Sequence, residues 1–375
     1  MDLKIIGAGP GGILSGLYLL ENGITPRILE RQSRENYKST PCAEGVSRGT
    51  IDKLKRDIGF DSSSFINNEP DRAVLSFPSG RETFWEYPVP VILDRTEWLW
   101  ALIEEFERRG GHIEFDKEVG DIDDLDYDYL IGADGPNSRV RRRIGGDVRI
   151  VSACQYRFKP EEYQRKVLEL HWDKRFSEFY SWIFPKKDYL NIGCGGSYGG
   201  LDRFLSYKNM NGEILERKAH PITFGGTNFQ EGNIFLIGDA AGMLNPVLGD
   251  GLGPIVFASE VLSFCFGEGD LGMYEKILRK KLPDSQVTDV LLSLNQRDLD
   301  KLGNLLDGVN FLDFLKALMG GSTVLDFFKE DVIFEMLKGN FLRILHDPRF
   351  LVKLASFYRN RGRIKESLKL WSKRT

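Results

Sequence analysis

The chain has 375 residues, of which 41% are hydrophobic and 28% are charged, as is typical of a globular protein long enough for two joined domains. Its formal net charge of −4 argues against a nucleic-acid-binding protein, which would carry a basic surplus. No window approaches the roughly 18 apolar residues that span a bilayer, and no secretory-signal pattern is present, so we expect a cytoplasmic protein. The four cysteines and four histidines are scattered, so no metal site is predicted.

The first thirty residues have the pattern of a β-α-β unit. A strand, a glycine-rich turn, a helix and a second strand are predicted over Leu3–Ile6, 7–12, Ile13–Glu21 and Arg27–Glu30. The first helical turn offers free N–H groups and the positive end of the helix dipole to an anion. This order of elements therefore indicates a phosphate-binding unit.

The glycines of this turn match the dinucleotide-binding fingerprint. Gly7 permits a tight turn, Gly9 lets the backbone approach a pyrophosphate, and Gly12 allows the helix to pack closely on the strand. Glu30 ends the second strand, where its carboxylate can accept hydrogen bonds from ribose hydroxyls. We therefore predict a dinucleotide cofactor bound by these four residues.

The rest of the chain changes pattern twice. Residues 148 to about 195 alternate and are rich in aromatic side chains, which is typical of an antiparallel sheet, and beyond 251 the pattern is mostly helical. We predict an α/β protein with a Rossmann-like cofactor domain, a β-sheet substrate domain inserted into it, and C-terminal helices. The cofactor domain is assigned to residues 1–85, 86–147 and 230–270. The substrate domain is assigned to 148–229 with part of 60–92, and the C-terminal helices to 271–375.

Two later motifs identify the cofactor. Tyr129–Arg141 is a strand that runs into Asp-Gly and a short basic helix, and 238–242 reads Gly-Asp-Ala-Ala-Gly after another strand. With the first motif, this order and spacing resembles the FAD-dependent group that includes para-hydroxybenzoate hydroxylase. The resemblance implies FAD, with Asp239 at its ribityl and pyrophosphate region. Taken alone, Asp239 would also be typical of a helix N-cap.

Within that group, the chain resembles the geranylgeranyl reductases, which saturate isoprenoid double bonds, notably in archaeal ether lipids. The resemblance extends from residue 3 to about 260. It is carried by Pro41–Gly45, Leu93–Arg95, Ser152–Arg157, Tyr180–Lys186 and Asn245–Leu252. Ala43 stands where the family usually has glycine, and Lys187 and Leu248 also depart from its pattern.

The resemblance implies a set of site residues. Besides those of the first motif, the predicted FAD-binding residues are Arg31, Cys42, Ala43, Gly45, Arg95, Val119, Asp239, Gly249, Gly251 and Leu252. The predicted substrate residues are Tyr180, Trp182, Phe184 and Pro185. The first three of these alternate along a strand and so share one face, which would line a tunnel for a prenyl chain or form ordinary sheet core.

The implied reaction passes a hydride from reduced FAD to one alkene carbon and a proton to the other. Cys42 is the first candidate for a catalytic or flavin-gating residue, and Glu44 is the second. A cysteine at this position would also be typical of a small buried residue that packs in the core. The reductant is NAD(P)H or a ferredoxin-like protein. His171 and His220 are expected to be structural or surface residues.

Two other functions fit the sequence. One is a flavin monooxygenase that acts on an aromatic or polyene substrate, and the other is a carrier that binds flavin and prenyl lipid without turnover. The segment Arg359–Thr375 has seven basic residues and one acidic residue, and its apolar residues have helical spacing. It fits peripheral contact with the inner face of an anionic membrane, or a solvated helix.

Overall fold

The computed structural model describes residues 1–306, except 39, 87–88, 164–165, 246–248, 283–288 and 290–291. The basic segment Arg359–Thr375 and much of the predicted C-terminal helical region lie outside the described residues. Within the described part of the chain, no helix combines the length and apolar character needed to cross a membrane.

The elements alternate early and become strand-rich in the middle of the chain. The strands are β1 (Leu3–Ile6), β2 (Arg27–Leu29), β3 (Gly45–Val46), β4 (Ile66–Asn68), β5 (Arg72–Ser76), β6 (Glu82–Trp85), β7 (Val91–Leu93), β8 (His112–Glu114), β9 (Tyr129–Gly132), β10 (Arg149–Pro160), β11 (Val167–His171), β12 (Ser181–Pro185), β13 (Leu190–Gly195), β14 (Gly212–Phe224), β15 (Gln230–Glu231) and β16 (Ile234–Leu236). The helices are α1 (Pro10–Glu21), α2 (Arg48–Ile58), α3 (Arg95–Arg108), α4 (Arg139–Arg143), α5 (Tyr198–Tyr207), α6 (Leu252–Glu268), α7 (Met273–Lys281) and α8 (Gln296–Leu306). Short 3₁₀ turns occupy Ser63–Phe65 and Gly238–Ala241.

The first sheet has the strand order β15-β16-β9-β1-β2-β8. All neighbouring strands run parallel except β15 and β16. All four residues of β1 are buried, because β1 is central and both faces of a parallel sheet are covered. The fold class predicted from the sequence is confirmed, with its Rossmann-like sheet and a separate, mostly antiparallel sheet.

Helix α1 is buried on nearly every side. It begins at Pro10, where the missing N–H is tolerated, and Gly9 is its N-cap. Its neighbours approach closely because small residues face them: a β-carbon at Gly16 would lie 2.6 Å from the Phe106 ring of α3. Asn22 Nδ2 also donates to Ser263 Oγ of α6. The N-terminus of α1 is therefore held firmly at the carboxyl edge of the sheet.

The second sheet has the order β14-β10-β13-β12-β11-β5-β6. Its strands pair antiparallel except for β11 and β5, which are parallel. One face packs against α5 in a core that includes Ile183, Ile192 and Phe204. The opposite face carries the alternate residues, including Tyr180, Trp182 and Phe184, and turns toward the cofactor domain. Strands β3, β7 and β4 form a small third sheet between the two.

The strands and the helix predicted for the first β-α-β unit lie within three residues of their observed bounds. The sequence analysis missed β14, whose thirteen residues form one edge of the second sheet. It also assigned no elements to α2, α5 or the β5–β6 hairpin. Strand β14 matters for function because one of its faces borders the cavity described below.

Candidate functional site

A cleft opens at the carboxyl edge of the parallel sheet, where ligands bind in folds of this type. Seven of the predicted cofactor-binding residues line it together. They are Gly7, Gly9, Glu30, Arg31, Arg95, Val119 and Asp239. Gly12 lies beneath this surface and does not line the cleft.

The three glycines of the first turn have different environments. Gly7 has a φ of +101°, which side chains rarely adopt. A β-carbon at Gly12 would overlap the carbonyl oxygen of Gly7, whereas a β-carbon at Gly9 would meet nothing within 4 Å. Gly12 therefore sets the packing of α1 on β1, and Gly9 presents bare backbone to the cleft.

These environments predict opposite effects of two alanine substitutions. Gly12→Ala is expected to lower the free energy of unfolding by about 1–3 kcal/mol, because the new methyl group meets backbone that cannot move aside. Gly9→Ala is expected to change it by less than about 0.5 kcal/mol but to weaken FAD binding, because its methyl group projects into the cleft. Urea unfolding and FAD titration measure the two quantities, and equal stability losses would contradict the prediction.

Glu30 is positioned by backbone donors. One carboxylate oxygen accepts from the N–H of Ala8 and the other from the N–H of Gln32, each at 2.8 Å. The hydroxyl of Tyr37 donates to the carbonyl of Ala8 at 2.7 Å, and Tyr37 also borders the cleft. Each carboxylate oxygen keeps acceptor capacity for a ribose hydroxyl.

Two buried nitrogens at the inner end of the cleft have no hydrogen-bond partner among the described residues. They are Nε of Arg95 and Nε2 of His220. Buried polar atoms are nearly always paired, so these two nitrogens fit a site at which a polar ligand supplies the missing partner. The sequence analysis expected His220 to be structural or at the surface, but the structure places it on the lining of the cleft.

Asp239 and Asp250 lie within electrostatic range of Arg95. Burial raises the pKa of each carboxyl group to about 6, although Arg95 acts in the opposite direction on both. Thr223 and Arg141 also favour the ionised form of Asp239, and backbone N–H groups of α6 favour that of Asp250. An anionic carboxylate here is stabilised when a ligand brings hydroxyl donors to it.

The raised pKa values predict a pH effect on the stability of the FAD-free protein. Between about pH 4 and pH 6 these carboxyl groups are protonated in the native state but ionised in the unfolded chain, so their stabilising contribution falls as the pH rises through 6. A double variant, Asp239→Asn with Asp250→Asn, should therefore become more stable relative to the native sequence from pH 4 to pH 7 in urea unfolding. Burial lowers the pKa of His220, so its contribution to the free energy of unfolding rises with pH, but His220 is present in both proteins. A stability difference that does not vary with pH would contradict this.

A second cavity continues from the cleft toward the second sheet. The two spaces share Thr40, Arg95, His220, Asp239 and Ile255 as lining residues, so they adjoin each other. Most of the second cavity is lined by apolar groups. The predicted site residues that line it are Cys42, Ala43, Gly45, Arg95, Tyr180, Trp182, Phe184, Asp239, Gly249, Gly251 and Leu252.

Cys42 lies near the junction of these spaces. Its Sγ accepts a hydrogen bond from Nη1 of Arg95 at 2.9 Å and another from the backbone N–H of Glu44 at 3.3 Å. The thiol is partly exposed, on the lining of the apolar cavity. Two donors therefore hold the sulfur between the cofactor cleft and the apolar space.

Glu44 does not line the cavity, contrary to what a catalytic role would require. Its carboxylate pairs with Nζ of Lys186 at 2.6 Å, and the same ammonium group contacts Asp94 at 2.8 Å and the carbonyl of Leu93 at 2.6 Å. Lys186 is only 1% exposed, and burial alone would lower its pKa, but the two acids outweigh burial and raise it. Glu44 has a φ of +71°, so this network holds the Cys42 loop in a strained conformation.

Gly45 and Gly249 allow the segments on which they lie to pack closely against the aromatic side chains of Phe184 and Tyr180. A β-carbon at Gly45 would lie 2.6 Å from the Phe184 ring, and one at Gly249 would overlap the Tyr180 hydroxyl. Gly249 and Leu252 are two of the predicted FAD-binding residues. The N–H of Gly249 donates to the carbonyl of Asn245 and that of Leu252 to Oδ1 of Asp250, so both backbone amides are engaged by nearby residues of the same segment. Pro185 lies off the cavity, and its carbonyl accepts from Asn68.

The cavity also includes residues that the sequence analysis did not select. Strand β14 contributes Lys218, His220 and Ile222, and β10 contributes Gln155. Nothing in the sequence indicated which sheet the segment around Lys218, His220 and Ile222 joins.

Comparison with known proteins supports the assignment of the cofactor and the family. The FAD binding domain family matches residues 1–120. The chloroplastic geranylgeranyl diphosphate reductase of Arabidopsis thaliana is 32% identical, over 78% of this chain and 73% of the relative. The chain belongs to the geranylgeranyl reductase family. It is therefore an FAD-dependent oxidoreductase, and the residues of the cleft described above fit FAD.

Two further comparisons have lower sequence identity. Digeranylgeranylglycerophospholipid reductase 1 of Methanopyrus kandleri is 26% identical, over 69% of this chain and 78% of the relative. The crystal structure of a geranylgeranyl bacteriochlorophyll reductase-like protein from Thermoplasma acidophilum superposes with a TM-score of 0.70 at 20% identity, covering 90% of this chain and 98% of that one. This structure of a geranylgeranyl reductase-like protein shares the fold.

Proposed function

We propose that this member of the geranylgeranyl reductase family saturates C=C bonds of geranylgeranyl chains in isoprenoid lipids or their precursors. The observation that carries the proposal is that the FAD cleft adjoins an apolar cavity, with Cys42 in contact with Arg95, a residue that lines both spaces. The names of the relatives, which include a digeranylgeranylglycerophospholipid reductase and a geranylgeranyl diphosphate reductase, support the same substrate class.

Each part of the cavity has a role in this proposal. Reduced FAD supplies the hydride when it is bound. Tyr180, Trp182 and Phe184 orient the prenyl chain against the cofactor and exclude water from it. Cys42 holds a proton at Sγ for the second alkene carbon, since an unactivated alkene has no carbonyl to polarise. Lys186 and Glu44 position the loop that carries this thiol.

The partners of the reaction are proposals of the same kind. NAD(P)H or a ferredoxin-like protein reduces the flavin, and the substrate is a prenyl lipid that the enzyme reaches through peripheral contact with the membrane surface. Stopped-flow reduction of the purified yellow protein with NADH, NADPH or reduced ferredoxin identifies the donor by the rate at which the flavin absorbance is lost.

The activity itself is tested without oxygen. The purified protein is reduced with dithionite, digeranylgeranylglycerol phospholipid is added, and the product mass is followed. A gain of two mass units per reduced bond, together with return of the oxidised flavin spectrum, is the expected result. No mass gain with this lipid or with simpler prenyl substrates contradicts the proposal.

A parallel reaction in air separates the reductase from a monooxygenase. Both enzymes would consume a reductant, but only a monooxygenase consumes oxygen in proportion to a hydroxylated product. We expect no product heavier by an oxygen atom. A protein that binds the lipid and leaves its mass unchanged under both conditions would be a carrier.

A further inference from the structure

Two cysteine thiols lie in contact inside the second sheet, and the reaction of the proposed function uses neither of them. Sγ of Cys154 on β10 is 3.5 Å from Sγ of Cys194 on β13. Both residues are buried in the core beneath α5. Neither thiol is bonded to another, so the pair is a dithiol.

The pairing of the two strands gives the dithiol the geometry that a disulfide needs. Cys154 lies directly opposite Cys194 in the antiparallel register of β10 and β13. The Cα atoms of such opposite residues are about 4.5–5.5 Å apart, which is within the roughly 4.4–6.8 Å that a disulfide spans. A movement of about 1.5 Å would bring the two sulfur atoms from their present distance to that of a bond. The bond can therefore form without rearrangement of the sheet.

The two thiols have different acidities. The hydrogen bond with Cys194 lowers the pKa of Cys154, because it stabilises the Cys154 thiolate. The same contact, together with burial, raises the pKa of Cys194. Sγ of Cys194 also donates to the carbonyl of Ser197 at 3.6 Å. Since the thiolate is the form of cysteine that attacks an oxidant, Cys154 is the nucleophile of the pair.

Cys154 is also the member of the pair that a small oxidant meets first. It is one of the residues that line the apolar cavity, and it is 3% exposed, whereas Cys194 has no exposed surface. Oxygen that reaches a reduced flavin oxidises it and becomes hydrogen peroxide. An FAD-dependent enzyme that works in air therefore generates this oxidant itself, in a cleft that adjoins the same cavity.

We propose that Cys154 and Cys194 are a site of oxidation by hydrogen peroxide and close to a disulfide that joins β10 to β13. One oxygen of the peroxide is transferred to the Cys154 thiolate, which becomes a sulfenic acid, and the other takes up a proton and leaves as water. The Cys194 sulfur then attacks the Cys154 sulfur, so that the S–S bond forms and the hydroxyl group leaves as a second water with the Cys194 proton. Two thiols and one peroxide give one disulfide and two waters.

The first test uses the native, FAD-loaded protein and needs no lipid. The protein is treated with hydrogen peroxide, unfolded in iodoacetamide, digested with trypsin and analysed by mass spectrometry. We expect a linked pair of peptides that carries Cys154 and Cys194, is two mass units lighter than the two thiol peptides together, and is separated by dithiothreitol.

Cys265 is the matched control in the same digest. It is buried like the pair, and burial raises its pKa to about 11. Its thiol should therefore be lost at least roughly tenfold more slowly than that of Cys154.

Two variants test the order of attack. In Cys194→Ser, the hydroxyl group can still donate to the Cys154 sulfur but cannot form the disulfide, so a sulfenic acid should persist at Cys154 and be trapped by dimedone. In Cys154→Ser, the remaining thiol is the weaker acid and has no exposed surface, so Cys194 should stay unmodified. FAD content shows whether each variant has folded, and the linked peptides of the native protein decide the matter if one has not.

Three outcomes would overturn the inference. If iodoacetamide labels both thiols fully after the peroxide treatment, the pair is ordinary core packing. If either thiol is linked to Cys42 or to a second chain instead, the contact between β10 and β13 does not direct the oxidation. If dimedone labels Cys194 in one variant as readily as it labels Cys154 in the other, the two thiols are equivalent and Cys154 is not the nucleophile.

Discussion

Cys42→Ala is expected to lower the rate of alkene saturation by roughly 10²–10⁴-fold, the range that a positioned acid contributes to a reaction. The thiol lines the apolar cavity and is held by Arg95 at 2.9 Å, whereas no other predicted catalytic residue reaches this space. The FAD cleft is built from other segments, so the variant should retain its flavin. Single-turnover oxidation of the dithionite-reduced enzyme by the prenyl lipid measures the effect.

Cys42→Ser is the matched control for this substitution. A hydroxyl keeps the size and the hydrogen bonds of the side chain but is a much weaker acid than a thiol, so an intermediate rate is expected. If both variants turn over within about threefold of the native rate, Cys42 is a packing residue and the proton comes from elsewhere. If both lose their flavin, Cys42 contributes to cofactor binding instead.

Lys186→Met is expected to lower the free energy of unfolding by about 3–5 kcal/mol, because it leaves the carboxylate of Glu44 buried without its counter-charge. The ammonium group has three acceptors around it, and methionine satisfies none of them. Urea unfolding monitored by tryptophan fluorescence measures the loss. The same variant should slow turnover, since the Cys42 loop depends on this anchor.

The neighbouring Lys187 provides the control. It is exposed, and Lys187→Met is expected to change stability by less than about 0.5 kcal/mol. A double variant that combines Lys186→Met with Glu44→Gln should recover part of the lost stability, because the unpaired carboxylate of Glu44 is removed. Equal effects at 186 and 187, or no recovery in the double variant, would show that the ion pair does not anchor the loop.

The parts of the molecule that depend on local sequence were predictable. The strand, turn and helix around Gly7–Gly12 follow from hydrophobic spacing and from the conformations that only glycine adopts, and they occur as expected. The shared face of Tyr180, Trp182 and Phe184 was likewise predicted from their alternation, and all three line the cavity. Short-range periodicity reports which face of an element is buried, so these predictions needed no tertiary information.

The rest depends on contacts between distant segments. Glu44 was the second catalytic candidate because it lies in the segment Pro41–Gly45 that resembles the family's loop, but its partner Lys186 lies 142 positions away, and no spacing rule connects them. Similarly, the hydrogen bond that Gln155 donates to Asn191 joins residues 36 positions apart, and no spacing rule connects them. Strand β14 was missed because it lies at a sheet edge, where exposed polar residues hide the apolar pattern.

The strand order of the first sheet also has a consequence for biosynthesis. Strand β9 ends at residue 132, yet its outer neighbour β16 begins only at residue 234. At typical translation rates, the ribosome takes on the order of ten seconds to make the intervening segment. Throughout that interval the nascent chain has an unpaired edge on β9, which invites pairing with other chains. Folding yield during expression should therefore improve with slower initiation or added chaperones, while the concentration of FAD should matter only once α6 has emerged.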